Sequence, residues 1–174
     1  MVYTFLLTIF DLKFNKMNKY IKIAIALLVC LAVGYSASTV TRPSVETWYP
    51  TLIKPIFNPP NWIFMPMWTL LYILMAVAAG LVWDKIKEQN EAVKKALLFF
   101  IIQLTLNAIW SYLFFGLKNP MLALVEIVLL WLMIYETYLK FSKINKTAGY
   151  LLIPYLAWVA FAAVLNASIW WLNK

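Results

Sequence analysis

Five apolar stretches, each about twenty residues long, constrain this chain more than any other feature. They cover approximately residues 23–40, 63–83, 96–115, 121–139 and 150–172, and the gaps between them are short and charged or rich in proline. At 1.5 Å rise per residue, about twenty helical residues cross the roughly 30 Å hydrocarbon core of a bilayer. Lipid offers no partner to a backbone N–H or C=O, so a segment that crosses it in this way must satisfy itself as helix. The expected fold is an all-α membrane protein, a bundle of five transmembrane helices. Composition agrees, with 64% of residues hydrophobic and 13% charged, against about a quarter charged in soluble domains. No internal repeat is evident, which weighs against an inverted-repeat transporter.

The ends of the spans are read from breakers and caps. The run at residues 2–10 is too short to span, and Met17 opens MNKYIKIAIALL, which reads like a bacterial start. Residues 1–19 are therefore expected to be an N-terminal extension, with the first sixteen an upstream start-site artefact or a dispensable extension, and residues 20–174 the membrane domain. A cleaved signal peptide is disfavoured because no cleavage site separates Lys22 from the first span. Arg42–Pro43 is expected to end span one, and Pro66 is tolerable in the first turn of span two. Gly116, Asn119 and Pro120 should form a tight turn, and Gly149 should loosen the start of span five.

The net charge of +8 points to membrane orientation. No basic face interleaved with aromatics is present, and no nucleic-acid motif, so no nucleic-acid partner is expected. With five spans the termini face opposite sides. One side carries eleven basic residues (Lys13, Lys16, Lys19, Lys22, Lys85, Lys87, Lys94, Lys95, Lys140, Lys143 and Lys146), the other four (Arg42, Lys54, Lys118 and Lys174). The positive-inside rule then puts the N-terminus in the cytoplasm of a bacterial inner membrane, with the 42–62 connector outside.

That connector and the span after it, WYPTLIKPIFNPPNWIFMPMWTLLYILMAVAAGLVW, carry Pro50, Pro55, Pro59 and Pro60 within eleven residues. Each proline fixes φ, removes a donor and extends the residue before it. The connector should be stiff but not a long helix. Its aromatics either anchor at a membrane interface or line the mouth of an apolar pocket.

Histidine is absent and Cys30 is the single cysteine. His-ligated haem, histidine zinc sites, histidine triads and an internal disulfide are thereby excluded. The polar residues inside the spans need explaining, because polar groups in hydrocarbon are costly. Gln103, Asn107, Trp110 and Ser111 share a helical face, either as glue between helices or as the polar edge of a ligand cavity. Glu126 would stay neutral or pair with Lys118, and Glu136 would pair with Lys140 at i+4. Asn166 parallels Asn107, while Ala160, Ala162, Ala163 and Ala167 allow close helix approach or leave space beside a flat ligand. Trp68 and Trp158 each have a proline within four residues, where kinked or newly begun helices open pockets.

These residues resemble a known signature. WYPTLIKPIFNPPNWIFMPMWTLLY, QLTLNAIWSYLFFG, NPMLALVEIVLL and LLIPYLAWVAFAAVLN are similar, in order and spacing, to the TspO/MBR family of tryptophan-rich sensory and translocator proteins. The resemblance runs from about residue 20 to the C-terminus. It implies a five-helix bundle, often dimeric, with a pocket near the first loop that binds porphyrins. Animal members also bind cholesterol and benzodiazepine-type drugs, and some bacterial members are reported to degrade protoporphyrin IX in light. By position it implies ligand contacts from Tyr49, Pro59, Trp68, Asn107, Trp158 and Ala162. The sequence VLNASIWWLNK lacks the Tyr of the animal cholesterol pattern.

The leading expectation is thus a tetrapyrrole-binding receptor, sensor or transporter in which porphyrin is ligand or substrate and no resident cofactor or metal is held. Lys54 or Arg42 would meet a propionate or a lipid headgroup. The alternatives are light-dependent porphyrin breakdown, with Trp68 and Trp158 as the oxidisable residues and no ordinary catalytic group, and a lipid- or sterol-binding regulator. Membrane lipids and a second copy of the chain are the other expected partners.

Overall fold

A helix that leaves water gains from capped ends and from polar groups packed inward, and this chain supplies side-chain caps at three of its helices. The structure, a computed structural model, describes residues 17–174; the expectation of a dispensable N-terminal extension concerns residues outside that range. Among the described residues six α-helices occur in order: α1 (Lys19–Thr47), α2 (Phe64–Asp84), α3 (Asn90–Ser111), α4 (Pro120–Ile144), a short α5 (Lys146–Tyr150) and α6 (Ile153–Leu172). Together with their short flanking turns they give five segments long and apolar enough to cross a membrane, the fifth formed by α5 and α6. No strand occurs among the described residues. Asn side chains cap three helices: Asn18, Asn119 and Asn145 accept from the N–H groups of Tyr20, Leu122 and Ala148. Each satisfies a donor that a first helical turn leaves open.

The helices overrun the apolar runs that announce them. Arg42–Pro43 does not end α1, which continues to Thr47 with Pro43 inside it. Proline removes one hydrogen bond, but Ser44 O still accepts from Trp48 N–H and Pro43 O accepts from the Thr47 hydroxyl, so the last turn closes beyond it. The turn near Gly116 also differs. Residues Tyr112–Gly116 form a widened π-turn at the end of α3, with Leu117 N–H bonding Tyr112 O at 2.8 Å. The left-handed residue is Lys118, at φ 52°.

Gly149 tightens rather than loosens. It is buried in α5, and a Cβ there would lie 2.9 Å from Ser142 Cβ and 3.0 Å from Ser142 Cα. Its missing side chain lets α5 fold back onto the end of α4. Gly80 does the same where α2 crosses α1, with an added Cβ 2.8 Å from Ile23 Cα.

In the bundle α1 packs chiefly on α2, α3 on α4, and α4 on α6. The main core joins Leu71, Met75 and Ala79 of α2 to Phe100 and Leu104 of α3, Ile127, Leu130 and Ile134 of α4, and Tyr155 and Val159 of α6. Beside the Gly80 crossing, Lys22 is 1% exposed and its ammonium lies 3.2 Å from Asp84 Oδ1. Removing one partner of a buried pair is expensive, and Asp84 is about a third exposed, which moderates the loss. Asp84→Ala is expected to cost about 2–3 kcal/mol of unfolding free energy in detergent. Lys22→Met/Asp84→Ala should recover most of it, because no orphaned charge remains. Equal losses in the single and double variants would remove the ion pair from the account.

Candidate functional site

The loop ends of α1, α2, α3, α4 and α6 lie together, and a cavity of about 440 Å³ opens below them between α1, α2, α3 and α6. Pockets of 300–1,000 Å³ are the usual size for small-molecule sites. Five of the six residues that the resemblance singles out line it: Tyr49, Trp68, Asn107, Trp158 and Ala162. Pro59 does not. It stays in the loop, where its carbonyl accepts from Asn58 Nδ2 at 3.1 Å.

Asn107 is both a cavity residue and helix glue. It is 2% exposed; its Oδ1 accepts from Tyr72 OH at 2.6 Å and its Nδ2 donates to Tyr155 OH at 3.0 Å. One amide therefore ties α2, α3 and α6 together at the cavity floor. Asn166 works likewise nearer the loop end, accepting from Trp110 Nε1 at 3.1 Å and donating to Pro120 O at 2.7 Å. Gln103, one turn from Asn107, has only a long contact to Met75 Sδ at 3.9 Å and lies outside the cavity wall.

The walls are aromatic. Trp68 packs near Tyr72 and Tyr155, with ring centroids 5.9 and 6.3 Å away. Trp158 stands between Phe64 (6.2 Å) and Phe161 (5.6 Å). Trp110 stacks on Phe114 at 5.3 Å. The widened turn brings two consecutive phenylalanines, Phe114 and Phe115, against Tyr49 at 6.4 and 5.9 Å. Burial pushes the Tyr49 hydroxyl up to about 12, so it remains a neutral donor, given to Asn58 Oδ1 at 2.6 Å. Trp158 Nε1 is buried with no hydrogen-bond partner, an unspent donor on a cavity-lining residue.

Charge at the mouth comes from α1. Arg42 and Glu46, one turn apart, both line the cavity and are exposed. Lys54 is turned elsewhere, its ammonium 4.8 Å from the Tyr49 ring centroid and 3.3 Å from Leu52 O. Of the two cations considered for a propionate, only Arg42 is in the wall. The Glu126–Lys118 pairing is not formed: both Glu126 carboxylate oxygens are buried without a hydrogen-bond partner, while Lys118 sits exposed in the α3–α4 turn. Glu136 does pair with Lys140, at 2.8 Å.

Sequence reasoning passed over most of the α1 wall. Leu31, Gly34, Ser38, Thr41 and Val45 line the cavity, and their three- and four-residue spacing is one helical face. Small and polar residues recurring along an otherwise apolar helix were the available signal.

The TspO/MBR family model matches residues 26–172. The tryptophan-rich protein TspO of Chlorobaculum tepidum is 46% identical over 158 residues, 90% of this chain and 99% of that protein. That of Archaeoglobus fulgidus is 42% identical over 153 residues, 88% and 97% of the two chains. The translocator protein of Bos taurus is 35% identical over 141 residues, 81% and 83%. With the family matched over nearly the whole described bundle, this chain belongs to the TspO/MBR family.

Proposed function

We propose that the cavity is a binding site for a flat, largely apolar tetrapyrrole with anionic edges, held within the membrane as a sensed or carried ligand. The observation that carries this reading is the cavity itself, about 440 Å³ and walled by the indoles of Trp68, Trp110 and Trp158. Aromatic faces stack on a flat ring system. Arg42 at the exposed rim supplies the countercharge for a carboxylate. The lysine-rich side, which includes the α2–α3 and α4–α5 connections, would face the cytoplasm of a bacterial inner membrane.

The test is quenching of tryptophan fluorescence by protoporphyrin IX in detergent, in the dark and then under light. Saturable dark quenching is expected, weakened at least tenfold in Trp158→Ala, which removes a stacking face; a tenfold change equals about 1.4 kcal/mol, within the range of one aromatic pair. Arg42→Ala should weaken it less, because its charge is exposed to water. Quenching that never saturates overturns the tetrapyrrole reading. Light-dependent loss of porphyrin absorbance beyond that in empty micelles would extend it to turnover.

A further inference from the structure

The loop between α1 and α2 is fastened to the far side of the cavity by one side chain. The Asn173 carboxamide reaches Ile53, 120 positions earlier, and pairs with both its backbone groups. Oδ1 accepts from Ile53 N–H at 2.9 Å, and Nδ2 donates to Ile53 O at 2.9 Å. The second Nδ2 hydrogen goes to Ile169 O at 2.7 Å. That carbonyl is open because the Asn173 N–H bonds Trp170 O instead. Turning the amide over would set a donor against the Ile53 N–H and an acceptor against its carbonyl, so the partners fix its orientation.

The loop's other fastenings are of a different kind. Tyr49 to Asn58 and Lys54 to Leu52 tie the loop to itself. Phe57 meets α6 only through ring contact with Phe161 at 6.3 Å. Among the described residues, Asn173 alone hydrogen-bonds the span 52–60 to the bundle. Ile169, whose carbonyl the same amide caps, lines the cavity. The last turn of α6, with Ile169 in the cavity wall, is thus hydrogen-bonded to the loop whose two ends, Tyr49 and Asn61, line the same cavity.

We propose that Asn173 is a latch: a positioning residue that holds the α1–α2 loop closed over the cavity and so sets how long the cavity keeps its ligand. The ligand's identity rests on the tetrapyrrole reading; the latch itself does not. Both bonds are partly open to water, so each is worth little alone, and a side chain that makes and breaks them without unfolding the bundle suits a closure that must also reopen.

Two variants attack the latch from opposite sides. Asn173→Ala removes both bonds to the loop together with the α6 cap. Ile53→Pro removes only the N–H; Leu52 before it is already extended, at φ −77° and ψ 143°, as a residue preceding proline requires. Hydrogen exchange of the loop amides at 52–58, in ligand-free protein, reads the latch directly. Protoporphyrin IX release, followed by recovery of tryptophan fluorescence after dilution, reads its consequence. Both variants should speed loop exchange and porphyrin release, Asn173→Ala by about tenfold and Ile53→Pro by less, as expected for two lost hydrogen bonds and one. Exchange unchanged in both overturns the latch, and so does faster exchange with unchanged release. An effect confined to Asn173→Ala would mean helix capping alone and also overturns it. Should wild-type protein show no saturable quenching, the tetrapyrrole reading falls, and loop exchange alone decides whether the latch exists.

Discussion

Asn107→Leu is expected to lower the unfolding free energy by about 2–3 kcal/mol and to abolish saturable porphyrin quenching. Leucine is close to asparagine in size, so the loss is one of hydrogen bonding. Tyr72 OH loses its acceptor and Tyr155 OH its donor, and both rings are buried, at 6% and 0% exposure. Interhelical hydrogen bonds measured within membranes average only about 0.6 kcal/mol, but orphaning a buried group costs more than the bond was worth. The triple variant Tyr72→Phe/Asn107→Leu/Tyr155→Phe removes the orphans as well as the bonds. It should regain most of the stability, because apolar groups of matching shape then face each other. If it also regains porphyrin binding, Asn107 serves only to join helices. If binding stays lost while stability returns, the amide contacts ligand. SDS- or heat-induced unfolding of the purified protein supplies the stability arm.

Gly80→Val should be the most damaging single change in the bundle, at about 3 kcal/mol or more. Alanine at this position gains about 1 kcal/mol of helix propensity over glycine. That gain is outweighed, because the added Cβ meets Ile23 Cγ1 and approaches Ile23 Cα to 2.8 Å and Ile23 N to 3.0 Å. Two of the three nearest atoms are backbone, so a rotamer change cannot relieve the contact and α1 must move off α2. That movement also separates Lys22 from Asp84, one turn further along. Valine, branched at Cβ, has fewer ways out, whereas Gly80→Ala should cost about 1–2 kcal/mol. Gly116 is the control: its nearest atoms to an added Cβ lie 3.9 Å away, so Gly116→Ala should be neutral or slightly stabilising. Matching behaviour of the two glycines in unfolding would overturn the close-approach account.

The transmembrane count could be read from the chain because hydropathy over twenty residues reports a large transfer term. Where each helix stops could not, because helices extend into the interface until a cap or a break intervenes. Thus α1 passes through Pro43, and α4 runs to Ile144 beyond an apolar run that fades near residue 139. Amides within the spans were visible as anomalies, and Asn107 does lie between three helices. Pairings between distant segments were not visible. Glu126 and Lys118 are near in sequence yet unpaired, while Lys22 finds Asp84 and Asn173 finds Ile53 across the fold. Charge and periodicity say what a residue needs, whereas helix crossings decide who supplies it. Trp68, Asn107, Trp158 and Ala162 stood out by residue type and by neighbouring prolines, Tyr49 came from motif resemblance, and the α1 wall became visible only in the folded bundle.

The widened turn at the end of α3 holds information that no side chain carries. Since Leu117 N–H reaches back five residues to Tyr112 O, the turn contains one residue more than an ordinary helical turn. That surplus is what points both Phe114 and Phe115 toward Tyr49. Part of the site is therefore written as a number, the length of a short stretch, rather than as a choice of letters. Dropping any one residue from 112–116 would let the turn close normally and rotate the chain beyond it by about 100°. A survey that replaces residues one at a time, however exhaustive, leaves that number unchanged and never samples it.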